Sequence, residues 1–113
     1  MNRITEIFDN AEVSEKAIEH HLVKRMEQLG GRALKYYNTQ LTGYPDRLCL
    51  LPRGIVFWVE LKSRGKKLRP LQQHRHEELL ALGQKVYTCD SIPQIEAALK
   101  EQTSVSRGFP AQK

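Results

Sequence analysis

A chain of 113 residues, 40% apolar and 27% charged, has the make-up of one folded domain rather than of a disordered chain. Its longest apolar run, Ile55-Val56-Phe57-Trp58-Val59, falls far short of the ~20 residues of a membrane span, and no stretch after Met1 reads as a secretory signal. Eighteen basic against 13 acidic residues leave a charge of +5, a balance suited to polyanions such as nucleic acid. Cys49, Cys89 and four scattered histidines build neither a disulfide framework nor a zinc set, so a reduced cytoplasm is expected.

Residues 1–11 are mixed and polar and are expected to be flexible. The domain is expected over 12–101. Ile18, Leu22, Met26 and Leu29 recur at helical spacing, which predicts a helix over 14–29 with Ser14 as N-cap and Gly30-Gly31 as stop. Residues 32–38 read as a strand, in which alternation turns either Tyr36 or Tyr37 to the core. Residues 39–45 read as a loop, and 46–51 and 55–62 as two strands joined by a Pro52-Arg53-Gly54 turn. Pro70 opens a second helix that stops near Gly83. Residues 85–88 form a short strand. Ser91 caps a last helix with Ile95, Ala98 and Leu99 inside. Residues 102–113 lack periodicity and are expected to be a flexible tail. The order is helix, three strands, helix, strand, helix: an α/β domain with a mixed sheet flanked by helices.

The chemistry concentrates in the hairpin. If the turn centres on Arg53, Asp46 and Glu60 stand directly opposite each other on one face, with Cβ atoms about 4.5–5.5 Å apart. Lys62, two residues on, shares that face. A one-residue slip would part the two acids. Opposed carboxylates repel unless a cation lies between them, and an ionised Glu at the end of an apolar strand needs partners. A hard divalent cation such as Mg²⁺ meets both needs and keeps waters for a phosphate substrate. Lys62 could then orient or activate water. A Glu-x-Lys triplet by itself can equally be an ion pair at a strand end. The acid at matching register, the Gly43 and Pro45 before it and the cations after Lys62 argue for more.

The strings Gly43-Tyr44-Pro45-Asp46-Arg47, Val59-Glu60-Leu61-Lys62 and Leu68-Arg69-Pro70-Leu71-Gln72 resemble the VRR-NUC domain of the PD-(D/E)XK nuclease superfamily, in its stand-alone bacterial and phage form. The likeness runs from about residue 14 to residue 100. It implies a restriction-endonuclease-like αβββαβ core and a nuclease dependent on Mg²⁺ or Mn²⁺. Asp46 and Glu60 would hold metal, Leu61 would offer its carbonyl, Lys62 would assist the water and Gln72 would support the site, with Gln73 a weaker candidate. It also implies structure-specific cutting of DNA, with four-way (Holliday) junctions the leading substrate, a homodimer, and a place in the cytoplasm of a bacterial or phage-infected cell. Rival readings are a nuclease of the same core acting on flaps, nicks or duplex, and a non-catalytic DNA-binding module. The superfamily uses a first-helix glutamate, and here Glu15 and Glu19 compete. At about 100° per residue from Ile18, Glu15 falls at about 60°, inside the apolar stripe, and Glu19 at about 100°, its edge. Glu15 is favoured, yet a first turn overhanging the core would leave it merely suited to the helix dipole.

Between Lys62 and Arg69 lie five cations and no acid. As a solvated loop this run would do nothing. As a phosphate strip it would place Arg64, Lys66, Lys67 and Arg69, with Arg47 beside them, on DNA. Arg32, Lys35 and Arg53 would extend the strip, and Tyr36, Tyr37 and Tyr44 could touch DNA. His20, His21, His74 and His76 read as helix-surface residues, Trp58 as core or a dimer contact, and the cysteines as small buried hydrophobes.

Overall fold

The computed structural model describes residues 14–104. The expected flexible segments, 1–11 and the part of 102–113 after Ser104, lie outside the described residues. Helix α1 (Glu15–Gln28) starts where the Ser14 side chain accepts the Ala17 N–H at 3.1 Å. It stops where Gly30 takes a φ of +85°. Strands β1 (Arg32–Lys35), β2 (Arg47–Leu51) and β3 (Ile55–Leu61) follow. Helix α2 (Pro70–Ala81) carries the chain over to β4 (Val86–Cys89), and α3 (Ile92–Thr103) closes the fold, capped by Ser91.

The sheet is four-stranded in the order β1-β2-β3-β4. The first three strands are antiparallel, and β4 lies parallel to β3. That mixture follows from the connections. A tight turn can join only antiparallel neighbours, whereas a parallel pair needs a crossover, which α2 provides. Across the hairpin Arg47 pairs with Val59, Cys49 with Phe57 and Leu51 with Ile55. This is the register of a turn centred on Arg53. Arg53 accepts a φ of +72° and Gly54 one of +76° to make that turn.

Strand alternation gives the sheet two unlike faces. Ala33, Cys49, Phe57, Val59 and Leu61 point to α1 and α3, where Ile18, Leu22, Met26, Ile95 and Leu99 complete the core. Leu48, Trp58 and Glu60 point to the other side, toward α2, whose inward residues are Gln72, His76 and Leu79. Helix α2 covers this face only in part, so Leu34 and Val56 stay exposed.

Strands β2, β3 and β4 differ from the sequence reading by a single residue at their ends, and two other boundaries differ by more. Strand β1 ends at Lys35, because from Asn38 the chain folds into a turn in which its side-chain oxygen accepts the N–H groups of Gln40 and Leu41. Helix α3 runs to Thr103, past the expected start of the tail at 102. Gln102 is 0% exposed, and its Nε2 donates to the Tyr87 hydroxyl at 2.6 Å. A polar residue closes the core there, where an apolar stripe gives no signal.

Both thiols are buried and free. Burial pushes Cys49 up to about 12 and Cys89 up to about 11. Neither thiol is therefore expected to react with an aromatic disulfide reagent at pH 8 in the native protein, and both should react at once in denaturant. Fast labelling of either in buffer would contradict this packing.

Candidate metal and nuclease site

The site lies at the end of the sheet where β3 finishes and β2 begins. Asp46 directly precedes β2. Its carbonyl accepts the Tyr36 N–H at 2.9 Å, and its Oδ2 accepts the Leu61 N–H at 3.0 Å. One step beyond the Arg47–Val59 pair, Asp46 therefore faces the end of β3 where Glu60 sits. Glu60 is 2% exposed. Its Oε2 accepts from Gln72 Nε2 at 3.2 Å, while Gln72 Oε1 accepts the Arg69 N–H at 2.9 Å. Gln72 thus ties the first turn of α2 to the acid, and both ends of its amide are used.

Gly43 has a mechanical role. Gly43 has a φ of +93°, and a Cβ there would lie 2.8 Å from Leu71 Cγ. The loop can lie against α2 only with glycine at this point. Arg75 then donates to the Thr42 carbonyl at 2.8 Å and stacks 5.1 Å from the Tyr44 ring centre, while Tyr44 donates to Glu78 at 2.6 Å. Tyr36 packs edge-on against Trp58 and Tyr44. The loop that delivers Asp46 is held on both sides. Between it and α2 opens a cleft of about 230 Å³ lined by Tyr37, Asn38, Asp46, Arg69 and Gln72 among others. At its rim Tyr37 is 84% exposed.

Burial raises the Glu60 carboxyl above its ordinary value. The nearby His76 opposes the rise, Asp46 adds to it, and Lys62 opposes it. Glu60 Oε1 is buried without a hydrogen-bond partner. No group of three or more His, Cys, Asp or Glu side chains that could hold a metal occurs among the described residues. Two carboxylates, an unanswered oxygen and open space beside them suit a hard cation that keeps much of its water shell, such as Mg²⁺ or Mn²⁺. They do not suit a caged ion.

The other expected residues are distributed as follows. Leu61 follows Glu60 and turns its side chain into the core. Lys62 is half-buried just after β3, and its N–H donates to the Cys89 carbonyl at 3.0 Å. Arg64, Lys66, Lys67 and Arg69 are exposed on a turn pinned by the Gly65 N–H donating to Asp90 at 3.1 Å.

Arg47 departs from the DNA-contact reading. By alternation it points to the α1 side, donates to Glu19 at 2.7 Å and to the Ala33 carbonyl at 2.8 Å, and its side chain is 15% exposed. Glu19 is held by that pair. Glu15 is exposed, as is the whole of the first turn of α1 from Ser14 to Ala17, burial beginning at Ile18; among the described residues no hydrogen bond or ion pair engages it. Among the described residues no hydrogen bond joins either glutamate to Asp46 or Glu60.

His76 departs furthest from its reading as a surface residue. It is 7% exposed, with Nε2 at 3.8 Å from Glu60 Oε1. The signal was present in the spacing. Positions 72 and 76 lie on one helical face, so a Gln72 turned to the site carries His76 with it. His20 and His74 are exposed, and His21 joins Arg25 in bridging to Glu96.

A mixed sheet between helices, with opposed acids and a following lysine at its edge, defines a restriction-endonuclease-like domain. Comparison with known proteins narrows the class. The chain superposes on a solved structure described as "VRR_NUC domain" with a TM-score of 0.73 and 31% identity, over 76% of this chain and 94% of the other. It is 42% identical over 79 residues, 70% of its own length and 85% of the relative's, to "Putative nuclease p44" of Acyrthosiphon pisum secondary endosymbiont phage 1. No family model matches. The chain belongs to the VRR-NUC family.

The raised Glu60 carboxyl has a consequence for stability. A group whose folded pKa lies above its unfolded value takes stability away as pH rises from the ordinary carboxylate range to the raised value. The metal-free protein is therefore expected to lose stability as pH rises through that window. Glu60→Gln, which cannot ionise, should be the more stable protein in EDTA at pH 7, with the higher Tm. Melts across pH in EDTA test this; an unchanged or lower Tm for Glu60→Gln would show that the charge is already compensated.

Proposed function

We propose that the chain is an endonuclease that hydrolyses phosphodiester bonds in DNA with Mg²⁺ or Mn²⁺, and that its substrate is branched, a four-way junction foremost. The opposition of Asp46 and Glu60 across the hairpin, with Lys62 next on the same face, is the observation that carries this reading. When bound, the ion would supply neutralising charge at the scissile phosphate and acidity to the attacking water. Asp46, Glu60 and the Leu61 carbonyl are the groups to hold it. Gln72 keeps Glu60 in place. Lys62 orients the attacking water or takes its proton, and its positive charge offsets the charge that builds on the phosphate oxygens.

On helix α1, Glu15 is the acid left to act through water, since Glu19 is engaged by Arg47. Arg64, Lys66, Lys67 and Arg69 offer a run of phosphate contacts leading from the acids toward α2. Tyr37 at the rim of the cleft is suited to stacking on an unpaired base. A junction has two strands to cut, and a C2 dimer presents two sites in a fixed relation. The partly uncovered sheet face with Leu34 and Val56 supports a second copy there, which would appear as a dimer in gel filtration at micromolar concentration. No described helix is long and apolar enough to cross a membrane, consistent with action in the cytoplasm of a bacterial or phage-infected cell.

A labelled four-way junction and a matched duplex, incubated in Mg²⁺, Mn²⁺ or EDTA, test the reading. Paired nicks in the junction alone are expected in either metal and none in EDTA, with Lys62→Ala slower by about 10²–10⁴-fold. Equal cutting of both substrates would keep the chemistry and reject the junction preference. Binding without cutting in both metals would leave a DNA-binding module.

A further inference from the structure

Three buried side-chain atoms among the described residues lack a hydrogen-bond partner: Glu60 Oε1, His76 Nε2 and Gln102 Oε1. Two of the three face each other. His76 Nε2 stands 3.8 Å from Glu60 Oε1, beyond the ~3.2 Å of an N–H···O bond, so a shift of roughly 0.6 Å would close it. The other oxygen of the same carboxylate already accepts from Gln72. Gln72 and His76 are one turn apart, so a single face of α2 directs two nitrogens at the two oxygens of one acid.

A histidine that only filled the core would find its partner elsewhere or be replaced by leucine without loss. Here, among the described residues, the buried Nε2 has no hydrogen-bond partner and faces the Glu60 carboxylate. We propose that His76 is a positioning residue for the site: its Nε2–H donates to Glu60 Oε1, so that Gln72 and His76 together set the plane of the carboxylate. This rests on the reading of Asp46 and Glu60 as a metal site. Each carboxylate oxygen has two acceptor positions. Bonds from the α2 side leave the positions that face Asp46 for a divalent ion. Partners of this kind are worth about 10–100-fold in metal affinity. His76 itself touches neither ion nor DNA in this arrangement.

The test is calorimetric titration of the full chain with Mn²⁺ alone, paired with melts in EDTA. His76→Leu is expected to remain folded in EDTA, since the position is buried and leucine fills a comparable volume, and to bind Mn²⁺ about 10–100-fold more weakly. His76→Gln, which returns a donor nitrogen near the position of Nε2, should recover most of that affinity. Wild-type affinity in a folded His76→Leu protein overturns the proposal, as does a His76→Gln protein as weak as His76→Leu. Should His76→Leu fail to fold, the folded Gln variant decides: wild-type affinity upholds the donor role, and lost affinity overturns it. Wild-type protein that takes up no Mn²⁺ overturns the metal reading itself, a result distinct from any difference between variants.

Discussion

Glu60 stands next to last in the most apolar strand of the sheet, and its charge has almost no water to answer it. A carboxylate in that position costs free energy unless hydrogen bonds and opposite charge compensate. The surrounding structure is arranged around that cost without removing it. Gln72 supplies one neutral donor, Lys62 a positive charge at the strand end, and Asp46 a second negative charge that makes matters worse. A buried acid set beside a second acid at the edge of an open cleft is a poor device for stability and a good one for gathering a cation.

The remaining elements give this pair its geometry. The turn at Arg53 sets the register of the hairpin, and the register sets which acids meet. Asp46 would still wander without its loop, and the loop is fixed by the glycine contact with α2 and by Arg75, Tyr44 and Glu78. The same helix brings Gln72 and His76 to the opposite side of Glu60. One crossover helix therefore controls both the loop that carries the first acid and the groups that orient the second. The α1 and α3 side of the sheet carries the hydrophobic core and leaves the α2 side free for polar chemistry.

Much of this arrangement was legible in the sequence. The turn residues, the caps at Ser14 and Ser91, and the strand periods locate the elements. Counting outward from Arg53 brings Asp46 and Glu60 together, because antiparallel register is local arithmetic. What the sequence left open depends on tertiary placement. Helical phase puts Glu15 inside the apolar stripe of α1, but phase says nothing of where along a helix burial begins, and here it begins only at Ile18. Arg47 sits beside Asp46 in the chain, yet strand alternation sends it to Glu19 on the other face. A basic residue next to a candidate acid is not thereby near the substrate. His76 was hidden for the opposite reason. Its helix has so weak an apolar face that its inward side is marked by Gln72 and His76 as much as by Leu79, and a search for apolar periodicity passes over polar residues that face inward.

The inward polar face of α2 explains why this helix differs from the other two. Helices α1 and α3 are buried through Ile18, Leu22, Met26, Ile95 and Leu99, and such contacts would be served by any well-packed apolar set. Helix α2 buries a glutamine and a histidine against a glutamate, and no apolar substitute reproduces that contact while leaving Glu60 ionised. Its attachment to the sheet is thus coupled to the charge state of the site. Gln72 and His76 seat α2 against Glu60, and the loop before Asp46 is held by that same helix. The orientation of Glu60, the position of Asp46 and the shape of the cleft beside it all pass through the first two turns of a single helix.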